Sequence, residues 1–121
     1  MQSSVAQLFN SLRDKVPELK AAIIVGTRGG FNFHASADFK FDAESFAAEY
    51  ATLFRIARRT AEDTSMGAAL EQILISEKGV LLARRFGSDD VAVFVCGPDL
   101  NLGRLRYEIR HLSEQLMACV A

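Results

Sequence analysis

Hydrophobic residues recur at three- and four-residue steps near both ends of the chain, which is the spacing of an amphipathic helix. The first such stretch, residues 4–16, stops before Pro17, a residue that tends to end helices. The last follows Asn101, a residue type favoured at helix caps. Its apolar positions are Leu102, Leu105, Ile109, Leu112, Leu116 and Val120. We therefore predict a helix at each end of the chain.

Five shorter segments have the pattern of β-strands. Residues 21–25 form a continuous apolar run rich in β-branched side chains, typical of a central strand that is covered on both faces. In residues 31–36, apolar and polar residues alternate, as in a strand with one wetter face. Three more runs, residues 70–76, 80–86 and 91–96, are separated by short turns and predict an antiparallel meander.

The order of these elements predicts one α+β domain covering residues 1–121. It reads α-β-β-α-β-β-β-α, with five antiparallel strands. We expect the long second helix on one face of the sheet and the first and last helices on the other. A chain of 121 residues has the size of a single domain, so we do not expect a multidomain enzyme.

The second helix is longer than the sheet that it must cover. It is predicted from an N-cap at Asp42 to about Thr64, and Glu44 stands in its positive first turn. At 1.5 Å per residue, about 22 residues span about 33 Å, whereas five strands about 4.8 Å apart make a sheet about 20–25 Å wide. This helix should therefore extend past its own sheet.

The apolar side of this helix is also wide. It covers an arc of about 160°, more than one contact with a sheet normally needs. The residues of the arc are Ala43, Phe46, Ala47, Tyr50, Ala51, Leu53, Phe54, Ala57 and Ala61. Part of the arc is predicted to pack on a second chain, with the alanines allowing close approach of two helices. The alternative is that the first and last helices of the same chain cover it.

The opposite side of the helix combines charged residues with one exposed aliphatic residue, Ile56. Arg55, Arg58 and Arg59 lie close together on the helix, with Arg58 inside the apolar arc. The polar residues around Ile56 are Ser45, Glu49, Thr52, Arg59 and Asp63. Arginine beside an apolar centre with a polar rim is typical of protein-binding hot spots. A single exposed Ile is also unremarkable on a globular protein, so an ordinary solvated face stays the alternative.

Ion pairs are also predicted on the last helix. Arg104 precedes Glu108 by four residues, and Arg110 precedes Glu114 by the same interval. Residues at this spacing are neighbours on a helix surface. Both pairs are most simply interpreted as a solvated helix face.

Charge and cysteine content narrow the class of protein. Fourteen Lys and Arg against fifteen Asp and Glu give a net charge of −1, so nucleic acid is not an expected partner. Two cysteines are too few for a disulfide framework, and Cys96 and Cys119 are predicted to be small core residues with free thiols. No apolar run is long enough to cross a bilayer, and the N-terminus lacks the pattern of an export signal. We expect a cytoplasmic protein that does not insert into membranes.

No set of catalytic, metal-binding or cofactor-binding residues is recognisable in the sequence. The glycine-rich segment at residues 26–30 lacks the lysine and the following helix of a phosphate-binding loop. His34 and His111 are far apart in sequence and have no cysteine at ligand spacing. The acidic pairs at residues 62–63 and 89–90 are predicted to be solvated. We therefore expect no enzyme activity, no metal and no cofactor.

Several short strings between residues 5 and 120 occur in a recognisable order. They are Ala22-Ile23-Ile24-Val25 before the Gly29-Gly30 turn, Phe46-Ala47-Ala48, Ala57-Arg58-Arg59-Thr60-Ala61, Gly67, Gly79-Val80-Leu81-Leu82 and Leu102-Gly103-Arg104-Leu105-Arg106. With the order of elements, they resemble the Roadblock family, which includes dynein light-chain Roadblock proteins and bacterial MglB-type regulators of small Ras-like GTPases. The resemblance covers nearly the whole chain.

The resemblance implies a homodimer, or a heterodimer with a paralogue, in which third strands pair edge to edge and long helices pack side by side. The residues assigned to this interface are Ala47, Tyr50, Ala51, Leu53, Phe54, Ala57, Gln72 and Leu74. Such pairing would cover the exposed edge of the third strand. The resemblance also implies that the paired helices dock a small Ras-like GTPase. The residues assigned to docking are Ser45, Glu49, Thr52, Arg55, Ile56 and Arg59.

The resemblance leaves the direction of regulation open. Catalysis would belong to the GTPase, and the dimer would stimulate hydrolysis, promote exchange or only act as a scaffold. An arginine finger from Arg58 or Arg59 is disfavoured, because the resemblance does not indicate an arginine supplied in trans. Two other functions stay open. One is an adaptor that bridges a larger complex without altering nucleotide turnover, and the other is a small-molecule sensor or enzyme with a pocket on the sheet.

Overall fold

The structure is a computed structural model that describes residues 2–26, 31–36, 40–87 and 90–120. Within these ranges, the side chains of residues 2–5, 31–36, 86, 113–114 and 116–120 are not described. Some predicted features therefore lie outside the described residues. They are the glycine-rich turn, the side-chain alternation of residues 31–36 with His34, Asp89 of the second acidic pair, Glu114 of the second ion pair, and Cys119.

Three helices form where the hydrophobic spacing predicts them: α1 (Gln2–Lys15), α2 (Ala43–Asp63) and α3 (Leu102–Val120). The predicted caps are also present. The Asp42 carboxylate accepts hydrogen bonds from the backbone N–H groups of Glu44 at 3.1 Å and Ser45 at 3.2 Å. The Asn101 side chain accepts a hydrogen bond of 3.0 Å from the N–H of Arg104 at the start of α3. Among the described helical residues, no helix is long and apolar enough to span a membrane.

Five strands form one antiparallel sheet. They are β1 (Leu19–Gly26), β2 (Phe31–Ser36), β3 (Glu71–Ser76), β4 (Gly79–Phe86) and β5 (Asp90–Cys96). Their order across the sheet is β2-β1-β5-β4-β3, so β2 and β3 are the two edges. The connection through α2 carries the chain from one edge to the other. Leu70 precedes β3 instead of starting it, although its carbonyl oxygen accepts a hydrogen bond of 2.9 Å from the N–H of Arg85 on β4.

Two hydrophobic cores lie on the two faces of the sheet. One core contains residues of α1 and α3 packed on the sheet, with Leu82 and Leu105 fully buried. The other core lies beneath α2. Consecutive strand residues point to opposite faces, so Ile23 and Val25 belong to the α2 core and Ile24 to the other. The predicted α+β class, with three helices around an antiparallel sheet, is confirmed.

The hairpin between β3 and β4 requires a residue without a side chain at its end. Ser76 pairs with Gly79, so Glu77 and Lys78 form a two-residue turn. A Cβ atom placed on Gly79 would lie 2.8 Å from the carbonyl oxygen of Cys96 on β5. Glycine therefore allows β4 to start this close to its neighbouring strand.

Candidate functional site

One side of α2 packs on the sheet of its own chain. Ala47, Tyr50, Ala51 and Phe54 are at most 4% exposed and share a core with residues of β1, β4 and β5. The prediction that these four residues contact a second chain is therefore corrected. Their side chains already exclude water against the sheet, so they are not available to a partner.

The other four residues assigned to an interface between chains are accessible to different degrees. Leu53 is 39% exposed and Leu74 is 46% exposed, whereas Ala57 and Gln72 are half-buried. The Tyr50 hydroxyl donates a hydrogen bond of 3.1 Å to Oε1 of Gln72, which places Gln72 on the α2 side of the sheet. Residues two apart on a strand share a face, so Leu74 lies on the same side.

Helix α2 lies off-centre over the sheet. Most of its close backbone approaches to the sheet are to β1 and β2, towards the edge opposite β3. Several large apolar side chains stay exposed on α2 and around β3, among them Ile75, which strand alternation places on the face opposite Leu74. Three others are Leu53 on α2, Leu74 on β3 and Leu70 just before β3, which is 54% exposed. We call these three residues the edge patch.

The outer side of α2 presents the six residues assigned to docking of a partner. All of them are exposed: Ser45, Glu49, Thr52, Arg55, Ile56 and Arg59. Ile56 is 58% exposed and forms the apolar centre of this side. The Arg55 guanidinium donates a hydrogen bond of 3.2 Å to Oγ1 of Thr52. An open groove along this side is lined by Thr52, Arg55, Ile56, Arg58, Arg59 and Glu62. The predicted docking residues thus lie on one continuous helix face.

The groups with displaced pKa values reflect the core and a helix cap. Burial raises the pKa of the Tyr50 phenol to about 12. Burial, and then the negative charge of Glu18, raises the pKa of the Cys96 thiol to about 12, so this thiol stays protonated. The backbone N–H of Ser45, which donates to Asp42, lowers the pKa of that exposed carboxyl. None of these pKa shifts is caused by contact between a nucleophile and a base.

Other candidate reactive residues are explained by their places in the fold. Cys96 is a free, buried thiol, which confirms its prediction as a small core residue. Glu62 and Asp63 are exposed, as predicted. The His111 ring packs edge-to-face on the ring of Tyr107, with centroids 4.4 Å apart and an interplanar angle of 87°. Among the described side chains, no three His, Cys, Asp or Glu residues are grouped so that they could hold a metal ion.

Glu108 is a buried carboxylate that sequence reasoning placed in solvent. Its Oε2 lies 3.1 Å from Nε of Arg104, so the predicted ion pair forms, but Glu108 is only 5% exposed. Its Oε1 lies 3.6 Å from Nζ of Lys15 on α1. The sequence does contain a sign of this burial that the prediction did not use. Glu108 directly precedes the apolar residue Ile109 and follows Leu105 by three residues, so it lies at the flank of the apolar stripe.

Glu71 at the start of β3 is a second largely buried carboxylate. Its Oε2 accepts a hydrogen bond of 3.0 Å from Nη1 of Arg84 on β4. Its Oε1 lies 2.9 Å from Nε of Arg106 on α3. These partners are far apart in sequence, so no local pattern could have revealed the contact. Glu71 thereby ties the edge strand to the helix behind it.

Comparison with known proteins finds similar solved structures. No family model matches the sequence of this chain, and the comparison with curated proteins finds no match either. The Roadblock/LC7 domain from Streptomyces avermitilis is 18% identical, with a TM-score of 0.83 over 94% of this chain and 95% of that one. MglB from Myxococcus xanthus is 20% identical, with a TM-score of 0.84 over 93% and 91%. MglC from Myxococcus xanthus is 25% identical, with a TM-score of 0.67 over 97% and 99%.

These similarities extend over nearly the full length of both chains in each comparison. They concern the arrangement of helices and strands, since few residues are identical. The same arrangement is the one that the short strings in the sequence indicated. The chain has the fold of the Roadblock family.

Proposed function

We propose that this chain forms a homodimer that regulates a small Ras-like GTPase and is not itself an enzyme. The observation that carries the proposal is the position of the edge patch beside an edge strand. Leu53 on α2 and Leu74 on β3 are both exposed, and β3 is the last strand of the sheet. An apolar patch beside a strand edge is a surface that a second chain would cover.

A second copy of the chain fits both features of this edge. β3 pairs with β4 on one side, and antiparallel pairing with β3 of another copy would give its outer backbone groups partners. The same approach would bring two α2 helices together, with Leu53 and the small Ala57 between them. The 21 residues of α2 span about 32 Å, long enough for an extended helix–helix contact. The Roadblock resemblance implies the same mode of pairing.

The outer side of α2 would then supply the docking surface for the GTPase. Ile56 is an exposed apolar centre, and Glu49, Thr52 and Arg59 surround it. A central apolar side chain with a polar rim is the composition of a protein-binding hot spot. Pairing of two α2 helices would place two copies of this side next to each other. The combined surface would be larger than the one that a single copy offers.

Regulation would follow from unequal binding of the two nucleotide states. The GTPase would supply its own catalytic groups, and the dimer would favour one arrangement of the switch loops by binding it more tightly. A tenfold difference in affinity corresponds to about 1.4 kcal/mol of bias. Whether hydrolysis or exchange is accelerated depends on which arrangement is favoured.

The docking step is tested by titrating the protein with purified small Ras-like GTPases from the same genome. Each GTPase is loaded with GDP or with a non-hydrolysable GTP analogue, and phosphate release and nucleotide exchange are measured alongside binding. We expect unequal affinities for the two states and a changed rate of one reaction. Ile56→Glu should abolish binding. Tyr107→Glu is the matched control, because Tyr107 is 57% exposed but lies on α3.

Two results would contradict this function. The absence of binding to either state and of any effect on turnover would remove the GTPase proposal. Equal affinity for both states, with unchanged hydrolysis and exchange, would replace it with the adaptor function. The dimer is tested separately by light scattering, and a monomer at micromolar concentration would contradict the assembly on which the doubled surface depends.

A further inference from the structure

A cluster of charged residues joins α1 and α3 on the side of the sheet opposite α2. Glu108 lies at its centre, with Oε1 3.6 Å from Nζ of Lys15 and Oε2 3.1 Å from Nε of Arg104. The Glu108 side chain is 7% exposed, whereas those of Lys15 and Arg104 are 56% and 54% exposed. The negative charge of Glu108 is therefore buried, whereas the positive side chains of Lys15 and Arg104 are exposed to solvent.

A second cluster, which also consists of one carboxylate between two cations, lies at the other flank of α3. Glu71 contacts Arg106 through Oε1 and Arg84 through Oε2, at 2.9 and 3.0 Å. The Glu71 side chain is 13% exposed, and the Arg106 side chain is 43% exposed. Each cluster contains two cations and one carboxylate, so each has a formal charge of +1.

Arg104 and Arg106 on α3 are each held in place by a largely buried carboxylate. Arg104 and Arg106 both contact their carboxylate through Nε. A guanidinium has five N–H donors, and the described contact uses one of them. Because the carboxylate already restrains each arginine, less conformational entropy is lost when the other donors bind a ligand. The outer face of α3 thus carries two preorganised cationic groups.

An exposed aromatic residue lies between these cations. Tyr107 follows Arg104 and Arg106 in the same helix, and steps of 100° per residue place the two arginines on opposite flanks of it. The ring of His111 packs edge-to-face on Tyr107, and Arg110 lies three residues after Tyr107 in the helix. Tyr and Arg are enriched at the centres of protein interfaces. We call these five residues the α3 crest.

We propose that the α3 crest binds an acidic, partly apolar segment of a partner protein. Carboxylates of the segment would accept hydrogen bonds from the arginines, and an apolar side chain would cover Tyr107. Charge complementarity supports this occupant, because both clusters beneath the crest are positive although the whole chain has a net charge of −1. The crest lies on the opposite side of the sheet from α2, so its occupation requires neither a GTPase nor a dimer.

The size of the crest favours a protein segment over a nucleic acid or a membrane. The helical rise from residue 104 to residue 110 is about 9 Å, enough for two or three carboxylates of one segment. A long polyanion would also meet the negative charges elsewhere on this chain, and indiscriminate phosphate binding relies on a strong positive excess. An exposed aromatic residue among arginines suits a ligand with apolar side chains.

The experiment is a titration of the isotopically labelled full chain, followed by NMR, with a peptide rich in Glu and Leu. The control ligand is the same peptide with Gln at every Glu. We expect saturable shifts centred on residues 104–111 with the acidic peptide only. Arg110→Glu and Tyr107→Ala should each weaken binding about fivefold or more, the size expected for loss of one exposed contact. Lys40→Glu makes the same change in charge at an exposed site before α2 and should bind as the unaltered chain does.

Several outcomes would overturn the proposal. They include equal shifts with the Gln peptide, shifts located on α2, and equal loss of binding in Lys40→Glu and Arg110→Glu. Vesicles of phosphatidylcholine and phosphatidylserine and a short DNA duplex are titrated in parallel. Tighter binding of either one than of the acidic peptide through the same residues would assign the crest to a lipid surface or to nucleic acid instead. The amide spectrum of each variant shows whether it is folded.

Discussion

The hydroxyl of Tyr50 on α2 donates a hydrogen bond of 3.1 Å to Oε1 of Gln72 on β3. Tyr50 itself is only 4% exposed, so the bond connects the core beneath α2 directly to the edge of the sheet. The long helix and the edge strand are the two elements that the proposed dimer uses. This bond holds their relative position within one chain.

Replacing Tyr50 with Phe removes the bond and keeps the ring. We expect the free energy of unfolding to fall by about 0.5–1.5 kcal/mol, the usual net value of one hydrogen bond. Urea unfolding followed by circular dichroism measures the change. Tyr107→Phe is the control, since its hydroxyl lies on an exposed residue, and it should change stability by less than about 0.5 kcal/mol. Equal losses in the two variants would contradict a specific role for the Tyr50 bond.

Charges introduced into the edge patch should separate the proposed dimer. Leu53→Glu and Leu74→Glu would each place a carboxylate in the apolar contact, and we expect dimerisation to weaken about 30-fold or more, equivalent to about 2 kcal/mol. Analytical ultracentrifugation measures the dissociation constant. Ile56 is more exposed than Leu53 and Leu74 but lies on the outer side of α2, so the Ile56→Glu variant should stay dimeric. If Ile56→Glu dissociates the dimer and Leu74→Glu does not, the interface is elsewhere.

Replacing Glu108 with Gln should destabilise the packing of α1 against α3. The variant keeps the shape of the side chain but loses the charge that attracts Lys15 and Arg104. Those two partners are more than half exposed, so solvent screening reduces the loss to about 1–2 kcal/mol. Urea unfolding tests this value against Glu49→Gln, an exposed control on α2. A loss no larger than that of the control would show that burial of Glu108 adds no stability.

Asp42→Ala should lower the melting temperature in a pH-dependent way. The pKa of Asp42 is lower in the folded chain than its ordinary value, mainly because the N–H of Ser45 donates to it. The ionised cap therefore stabilises the fold above the ordinary pKa of Asp, and this stabilisation is lost as the pH falls through the lowered pKa. The difference in melting temperature between the two proteins should be large near pH 7 and shrink towards pH 3. A constant difference would contradict capping by the carboxylate.

The Cys96 thiol should react only when the chain unfolds. Burial raises its pKa to about 12, so the thiol stays protonated at pH 8, and the side chain is shielded from solvent. In a Cys119→Ser background, we expect Ellman's reagent to react at least about 100-fold faster in denaturant than with the native protein. Since this pKa is raised on folding, stability is retained below the ordinary thiol pKa and declines as the pH rises above it. Rapid labelling of the native protein would contradict the core position.

Local sequence patterns were sufficient for the helices, the caps and the five strand segments. The period of the apolar residues depends on neighbours within one or two turns, and the caps at Asp42 and Asn101 depend on residues three positions away at most. The same patterns placed Ile56 and its polar neighbours on one exposed side of α2. They did not divide the wide apolar arc of that helix between the core and the surface.

The sequence by itself therefore determined the elements, the α+β class and the composition of the outer side of α2, because these follow from short-range periodicity and side-chain chemistry. Only the tertiary structure decided that Ala47, Tyr50, Ala51 and Phe54 form core while Leu53 stays exposed. It also decided the strand order, the off-centre position of α2 and the contact of Glu71 with Arg106. The physical reason is that each of these results depends on which distant segments meet, and burial of one residue is settled by the residue packed against it.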